Sequence, residues 1–71
     1  MSRLDYGDID GLQDLTVRSR RAARTARETA ADEDAPDPAD MLTDLAASLE
    51  DIADAAEAVA GWIREHRKPG K

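Results

Sequence analysis

The chain has 71 residues, of which 16 are acidic and 10 basic, giving a net charge of −6 with no cysteine. A domain this small is marginally stable on its own, and the lack of cysteine excludes disulfides and thiolate-bound metal as staples. The acidic balance disfavours attraction of the whole molecule to nucleic acid or anionic lipid, and no run approaches the roughly 18 apolar residues of a membrane span. We therefore expect a cytoplasmic protein that gains stability by oligomerisation.

The first half of the chain predicts a flexible arm followed by a helix. Asp10 and Gln13 have the spacing of a capping box, so the helix is expected to begin near Gly11. Hydrophobic residues of the arm are expected to cover the end of a helical bundle, with Tyr6 at an assembly surface as the alternative. The helix itself carries only a thin stripe of small and polar side chains beyond its leucines: Leu12, Leu15, Ser19, Ala22, Ala26 and Thr29.

A proline-rich acidic segment separates this helix from a second one. Pro36 and Pro38 push their preceding residues out of the helical region, so no helix passes through. The segment lacks the glycine and the terminal glutamate of an EF-hand, which favours a solvated loop over a calcium site. Asp37 is the predicted N-cap of the second helix. The predicted organisation is arm, helix, loop, helix and tail, over residues 1–10, 11–32, 33–37, 38–67 and 68–71.

The second helix carries large apolar residues at alternating steps of three and four, a heptad-like seam that is buried against other helices. Alanines widen this apolar face, while the acidic side chains fall on the outer face. A face this wide contacts more than one neighbouring helix, and the thin first helix is not expected to cover it alone. We therefore predict an all-α, two-helix hairpin that dimerises into a four-helix bundle. The predicted oligomer interface comprises Leu42, Leu45, Leu49, Ile52, Ala56, Val59, Ile63 and Trp62.

The first helix also carries five arginines within ten residues, and two interpretations of them remain open. Antiparallel folding would bring them alongside acids of the second helix, which gives them a structural role. Alternatively, they form a docking stripe for phosphates or for an acidic protein surface, although no aromatic residue is interleaved. The candidate docking residues are Arg18, Arg20, Arg21, Arg24 and Arg27.

No pattern in the chain predicts catalysis, a cofactor, a metal site or a small-molecule substrate. His66 has no serine or cysteine nucleophile near it and suits the negative end of a helix dipole. No glycine-rich loop follows a strand, so a phosphate cradle is not predicted.

These features favour a non-enzymatic protein–protein interaction module, such as an adaptor, an assembly factor or an inhibitor. The alternative is a nucleic-acid-associated regulator, including an antitoxin-like protein, that uses the arginine stripe. The expected partners are a second copy of the chain, with a dimer favoured, and another protein rather than nucleic acid. Such modules include accessory proteins of the phage or plasmid type, although no motif in this chain supports a resemblance to them and no family is recognised.

Overall fold

The structure, a computed structural model, describes residues 4–67 as two antiparallel helices joined by a short loop. Helix α1 spans Asp8–Asp32 and helix α2 spans Pro36–His66. The two helices pack along their length into a rod of 55 × 19 × 16 Å. The all-α hairpin predicted from the sequence is therefore confirmed. The predicted tail and the first three residues of the arm lie outside the described residues.

The contact between the helices is made largely of small side chains, and we call this line of residues the hairpin seam. On both helices its members recur at steps of three and four, the spacing that keeps one side of a helix against its neighbour. Alanine fills most of the α2 side, and within residues 4–67 only Ile63 is a large side chain with no exposed surface. The hairpin seam consists of Ile9, Leu12, Thr16, Ser19, Ala23, Ala26 and Ala30 of α1, and Leu42, Ala46, Leu49, Ala53, Ala56, Ala60 and Ile63 of α2.

The orientation of α2 differs from the one predicted. Ala46, Ala53 and Ala60, placed by the sequence prediction beside the main stripe, are fully buried against α1. Leu45 and Ile52, placed in its centre, are about half exposed. The predicted stripe followed the largest side chains. The observed contact uses the smallest ones, because the side chains that α1 brings to it are mostly small and the two helices pack closely.

Helix α1 begins at Asp8, three residues before the predicted start, and the predicted capping box at Asp10 and Gln13 is not its cap. Instead, the Asp8 carboxylate accepts a hydrogen bond from the Asp5 backbone N–H at 2.8 Å. The Asp5 carboxylate in turn accepts one from the Gly7 N–H at 2.9 Å. Two acids three residues apart thus satisfy N–H groups at the helix entrance, which is the logic of a capping box.

Helix α2 begins at Pro36 rather than at Pro38, and its N-cap is Ala35 rather than Asp37. Both prolines fit into the first turn, because the first N–H groups of a helix have no carbonyl partner within it. The Ala35 N–H is satisfied by the Glu33 carboxylate at 3.0 Å. The loop therefore shortens to residues 33–35.

Part of the predicted flexible arm belongs to the core. Ile9 lies within α1 and is only 6% exposed, in a cluster with Ala60 and Ile63. Leu4 packs against the same cluster from outside the helix. Leu4 and Ile9 therefore cover the end of the hairpin, whereas Tyr6 stays more than a third exposed. Whether the arm covers the end of a larger bundle stays a prediction.

The close packing of the hairpin seam predicts that enlarging two alanines of α2 affects stability very differently. Ala53 has no exposed surface and lies against α1, whereas Ala47 is exposed on the same helix. We expect Ala53→Leu to lower the free energy of unfolding by about 1–3 kcal/mol, because the extra methylenes force the helices apart. Ala47→Leu, the matched control, should change it little. Urea unfolding followed by circular dichroism tests this, and equal decreases for the two variants would contradict the close packing.

Candidate interaction surface

A second line of apolar side chains runs along α2 beside the hairpin seam, and no helix within residues 4–67 covers it. Exposed fractions are 70% for Met41, 49% for Leu45, 47% for Ile52, 36% for Val59 and 44% for Trp62. With Ser48 and Ala55 between them, these residues recur at steps of four and three, the spacing of a helix-binding stripe. Single exposed hydrophobic residues are ordinary, but a continuous row is typical of an interaction surface.

Helix α1 contributes the other half of this surface with smaller side chains. Leu15 is 43% exposed and begins a line that continues through Ala22 to Thr29. At the loop end of the hairpin, α1 and α2 enclose an open, mainly apolar groove rimmed by Arg18 and Arg21. We call the two lines together the open flank: Leu15, Ala22, Thr25 and Thr29 of α1, and Met41, Leu45, Ser48, Ile52, Ala55, Val59 and Trp62 of α2.

Trp62, at the far end of the open flank, is held in place by neighbours in its own helix end. The His66 ring stacks on it with centroids 4.4 Å apart and planes inclined by 14°. His66 Nδ1 donates a hydrogen bond to the Trp62 carbonyl oxygen at 2.9 Å. The Arg67 guanidinium lies 5.3 Å from the indole centroid, within cation–π range. These contacts fix the indole while leaving it 44% exposed.

The opposite side of the hairpin is closed by ion pairs between the helices. Arg20 contacts Glu57 at 2.6 Å and Asp54 at 3.2 Å. One heptad further along α1, the Arg27 Nη2 and Nε atoms donate hydrogen bonds to the two Glu50 carboxylate oxygens at 2.6 and 3.2 Å. We call these five residues the charged flank. Glu50 and Glu57, predicted on the outer face, therefore lie beside α1, because the true seam is rotated relative to the predicted one.

The arginine stripe is thus divided between several environments. Arg20 and Arg27 pair with α2, and Arg18 pairs with Asp14 of its own helix at 3.0 Å. Within residues 4–67, Arg21 and Arg24 make no ion pair. The structural interpretation therefore holds for Arg20, which pairs with Asp54 and Glu57, and for Arg27, which pairs with Glu50.

The eight predicted interface residues are also divided. Ala56 and Ile63 are buried in the hairpin seam, so they are not accessible to another molecule. Leu42 and Leu49 also belong to the hairpin seam and are half-buried, on its side toward the open flank. The residues that remain available are Leu45, Ile52, Val59 and Trp62. The prediction did not include Met41 and Leu15, although their spacing from Leu45 and Ala22 was a usable signal.

In comparisons with protein families, with curated proteins and with solved structures, nothing matches this chain. Neither helix has the combination of length and apolar character that a bilayer span requires, within residues 4–67.

The two-point contact with Arg27 lowers the pKa of the Glu50 carboxyl below its ordinary value, chiefly through the hydrogen bond and also through the opposite charge. Because the folded pKa is the lower one, the pair contributes its full stabilisation above the ordinary glutamate pKa of about 4.3. That contribution disappears as the pH falls through the lowered pKa. The charged flank is therefore expected to weaken in acid.

We predict that NMR titration of the Glu50 carboxyl gives a pKa below the ordinary value. Arg27→Gln should return it toward that value, because the donor and the charge are both removed. Arg24→Gln is the matched control, since Arg24 has no carboxylate partner among the described residues, and it should leave the Glu50 pKa unchanged. An ordinary pKa in the parent protein would contradict the ion pair.

Proposed function

We propose that this chain is a small non-enzymatic interaction module, an adaptor, assembly factor or inhibitor, that binds helices through its open flank. The observation that carries the proposal is the row of five large apolar side chains left exposed on one side of α2, with only the small residues Ser48 and Ala55 between them. Burying such side chains is the main favourable term in protein association. A helix laid in the groove between α1 and α2 would bury them at the usual three–four spacing.

The direction of the large side chains supports a bundle with more than two helices. Leu42 and Leu49 belong to the hairpin seam, whereas Leu45 and Ile52 belong to the open flank. At about 100° of rotation per residue, the mean direction of the four lies roughly 50° from that of the neighbouring seam residues, toward the open flank. In a four-helix bundle each helix directs its largest side chains to such a diagonal, toward the common centre. We therefore propose that two hairpins pair through their open flanks.

The amount of exposed surface also supports association. The chain exposes 5452 Å², whereas a compact monomer of its mass exposes roughly 4,300 Å². The excess of roughly 1,100 Å² is comparable to the ~800 Å² that each partner contributes to a standard protein interface.

A protein partner fits this surface better than a nucleic acid does. The open flank is apolar along its centre, and the cations that line its groove, Arg18 and Arg21, lie at the rim. Nucleic-acid binding depends on many cationic contacts to phosphates, whereas the net charge here is −6. Apolar helices of other proteins match the chemistry of the open flank more closely.

Placing a carboxylate on the open flank is expected to abolish association. Ile52→Asp would put a charge at the middle of the proposed interface, where it would be desolvated without a partner. Ala47→Asp introduces the same charge on the same helix but away from the open flank. We expect sedimentation to show a dimer for the parent and for Ala47→Asp, and a monomer for Ile52→Asp.

Two results would contradict this proposal. A dimer that survives Ile52→Asp would mean that association uses another surface. The open flank would have no binding role if the parent protein stays monomeric at high concentration and also shows no binding of an apolar helical peptide that is lost in Ile52→Asp.

A second candidate function, nucleic-acid-associated regulation, is favoured by one observation. Arg21 and Arg24 are exposed and make no ion pair among residues 4–67, so they are available to phosphates. If they bind DNA, Arg21→Ala with Arg24→Ala should reduce the slope of log affinity against log salt by about one for each phosphate that is no longer neutralised. The absence of any mobility shift at low salt, with folded protein in excess, would exclude this function.

A further inference from the structure

The structure also indicates how the open flank is occupied, and this inference rests on the proposed function. Two hairpins can face each other through their open flanks in two symmetric ways. A two-fold axis parallel to the helices places both loops at the same end and sets α1 against α2 of the other copy. A two-fold axis across the helices places the loops at opposite ends, with α1 against α1 and α2 against α2. We infer that the occupant is a second copy of this chain in the same-end arrangement.

Side-chain size favours the same-end arrangement. The α2 line of the open flank is large, with Leu45, Ile52 and Val59, whereas the α1 line becomes small after Leu15, with Ala22 and Thr29. The opposite-end arrangement would pack large against large on one side of the bundle and small against small on the other. The same-end arrangement sets each large line against a small one, so both contacts have similar helix spacing.

The axial positions agree with this pairing. The ion pairs from Arg20 to Glu57 and from Arg27 to Glu50 fix the register of the hairpin. In that register Ala22 lies near the level of Ile52. A two-fold axis parallel to the helices keeps every residue at its own level, so Ile52 of each copy would meet the small side chain of Ala22 in the other.

Charge on the rims of the open flank favours the same arrangement. On α1 the rim carries Arg21, which borders the apolar groove and makes no ion pair within residues 4–67. On α2 the outer edge of the flank carries Asp51, which is exposed and likewise makes no ion pair within those residues. In the register of the hairpin Arg21 lies near the level of Asp51, so the same-end arrangement brings Arg21 of one copy toward Asp51 of the other. The opposite-end arrangement would instead place like charges together along both contacts.

The whole central segments of the helices show the same opposition. Residues 18–27 contain five arginines and no acid, whereas residues 41–63 contain five acids and no base. The hairpin uses part of this opposition on its charged flank, where Arg20 and Arg27 meet α2. In the same-end dimer, every α1 would have an acidic α2 on both sides.

Distances between spin labels at the two ends of the hairpin test this inference. The chain has no cysteine, so Asp34→Cys in the loop and Glu65→Cys near the end of α2 each give one labelling site per chain. Both positions are exposed. For the same-end dimer we expect both labels to give intermolecular distances below about 30 Å, because neighbouring helix axes lie about 10 Å apart. For the opposite-end dimer both should exceed about 40 Å, since α2 is roughly 45 Å long.

Each remaining outcome of the pulsed electron paramagnetic resonance experiment is decisive. Two long distances would overturn the same-end arrangement and leave binding through the open flank intact. The absence of an intermolecular distance, with a monomeric mass, would overturn the second copy as occupant. Short distances that persist when Ile52→Asp is added to the labelled chains would place the contact elsewhere and count against the proposed function as well. Ala47→Asp, the matched control, should leave the short distances unchanged.

Discussion

The close approach of α1 and α2 along a line of small side chains determines the rest of this structure. Alanine allows two helix backbones to come near each other, but each one buries little apolar area. Of the side chains within residues 4–67 that have essentially no exposed surface, only Ile63 is large. A hairpin closed in this way leaves most of its leucine, isoleucine and valine side chains partly in water. The interior is small because the helices contact each other through small side chains. The open flank is exposed for the same reason, since the larger apolar side chains lie outside that contact.

The two sides of this contact differ in chemistry, so the hairpin has one charged side and one apolar side. Each side is built from residues of both helices. One flank joins arginines of α1 to acids of α2, which fixes the register and occupies that side with charge. The other flank carries Leu15 and Ala22 on α1 and Ile52 and Val59 on α2, so its centre is apolar. Further helices are therefore expected on one side of the rod.

The sequence was sufficient to predict two helices, the antiparallel hairpin and a proline-limited loop, because heptad periodicity and proline act locally. It was not sufficient to predict which side of each helix faces the other. Leu45 and Ile52 outweigh Ala46 and Ala53 when hydrophobicity is counted, yet the alanines form the contact. Packing depends on the shape of both partners, and a periodic pattern on one helix contains no information about that complementarity. The small side chains along α1 were the one signal in the sequence that the two helices pack closely.

The error in the predicted stripe has a consistent direction on both helices. On α1 the predicted line through Leu12, Leu15, Ser19 and Ala22 takes alternate members from the hairpin seam and from the open flank. On α2 the line through Leu42, Leu45, Leu49 and Ile52 does the same. A single helix pair has no reason to carry its largest side chains on this diagonal, because half of them then lie outside the contact. A four-helix bundle does, since the diagonal points to the centre where all helices converge. The periodicity of the sequence therefore fits the proposed four-helix bundle better than it fits a single hairpin.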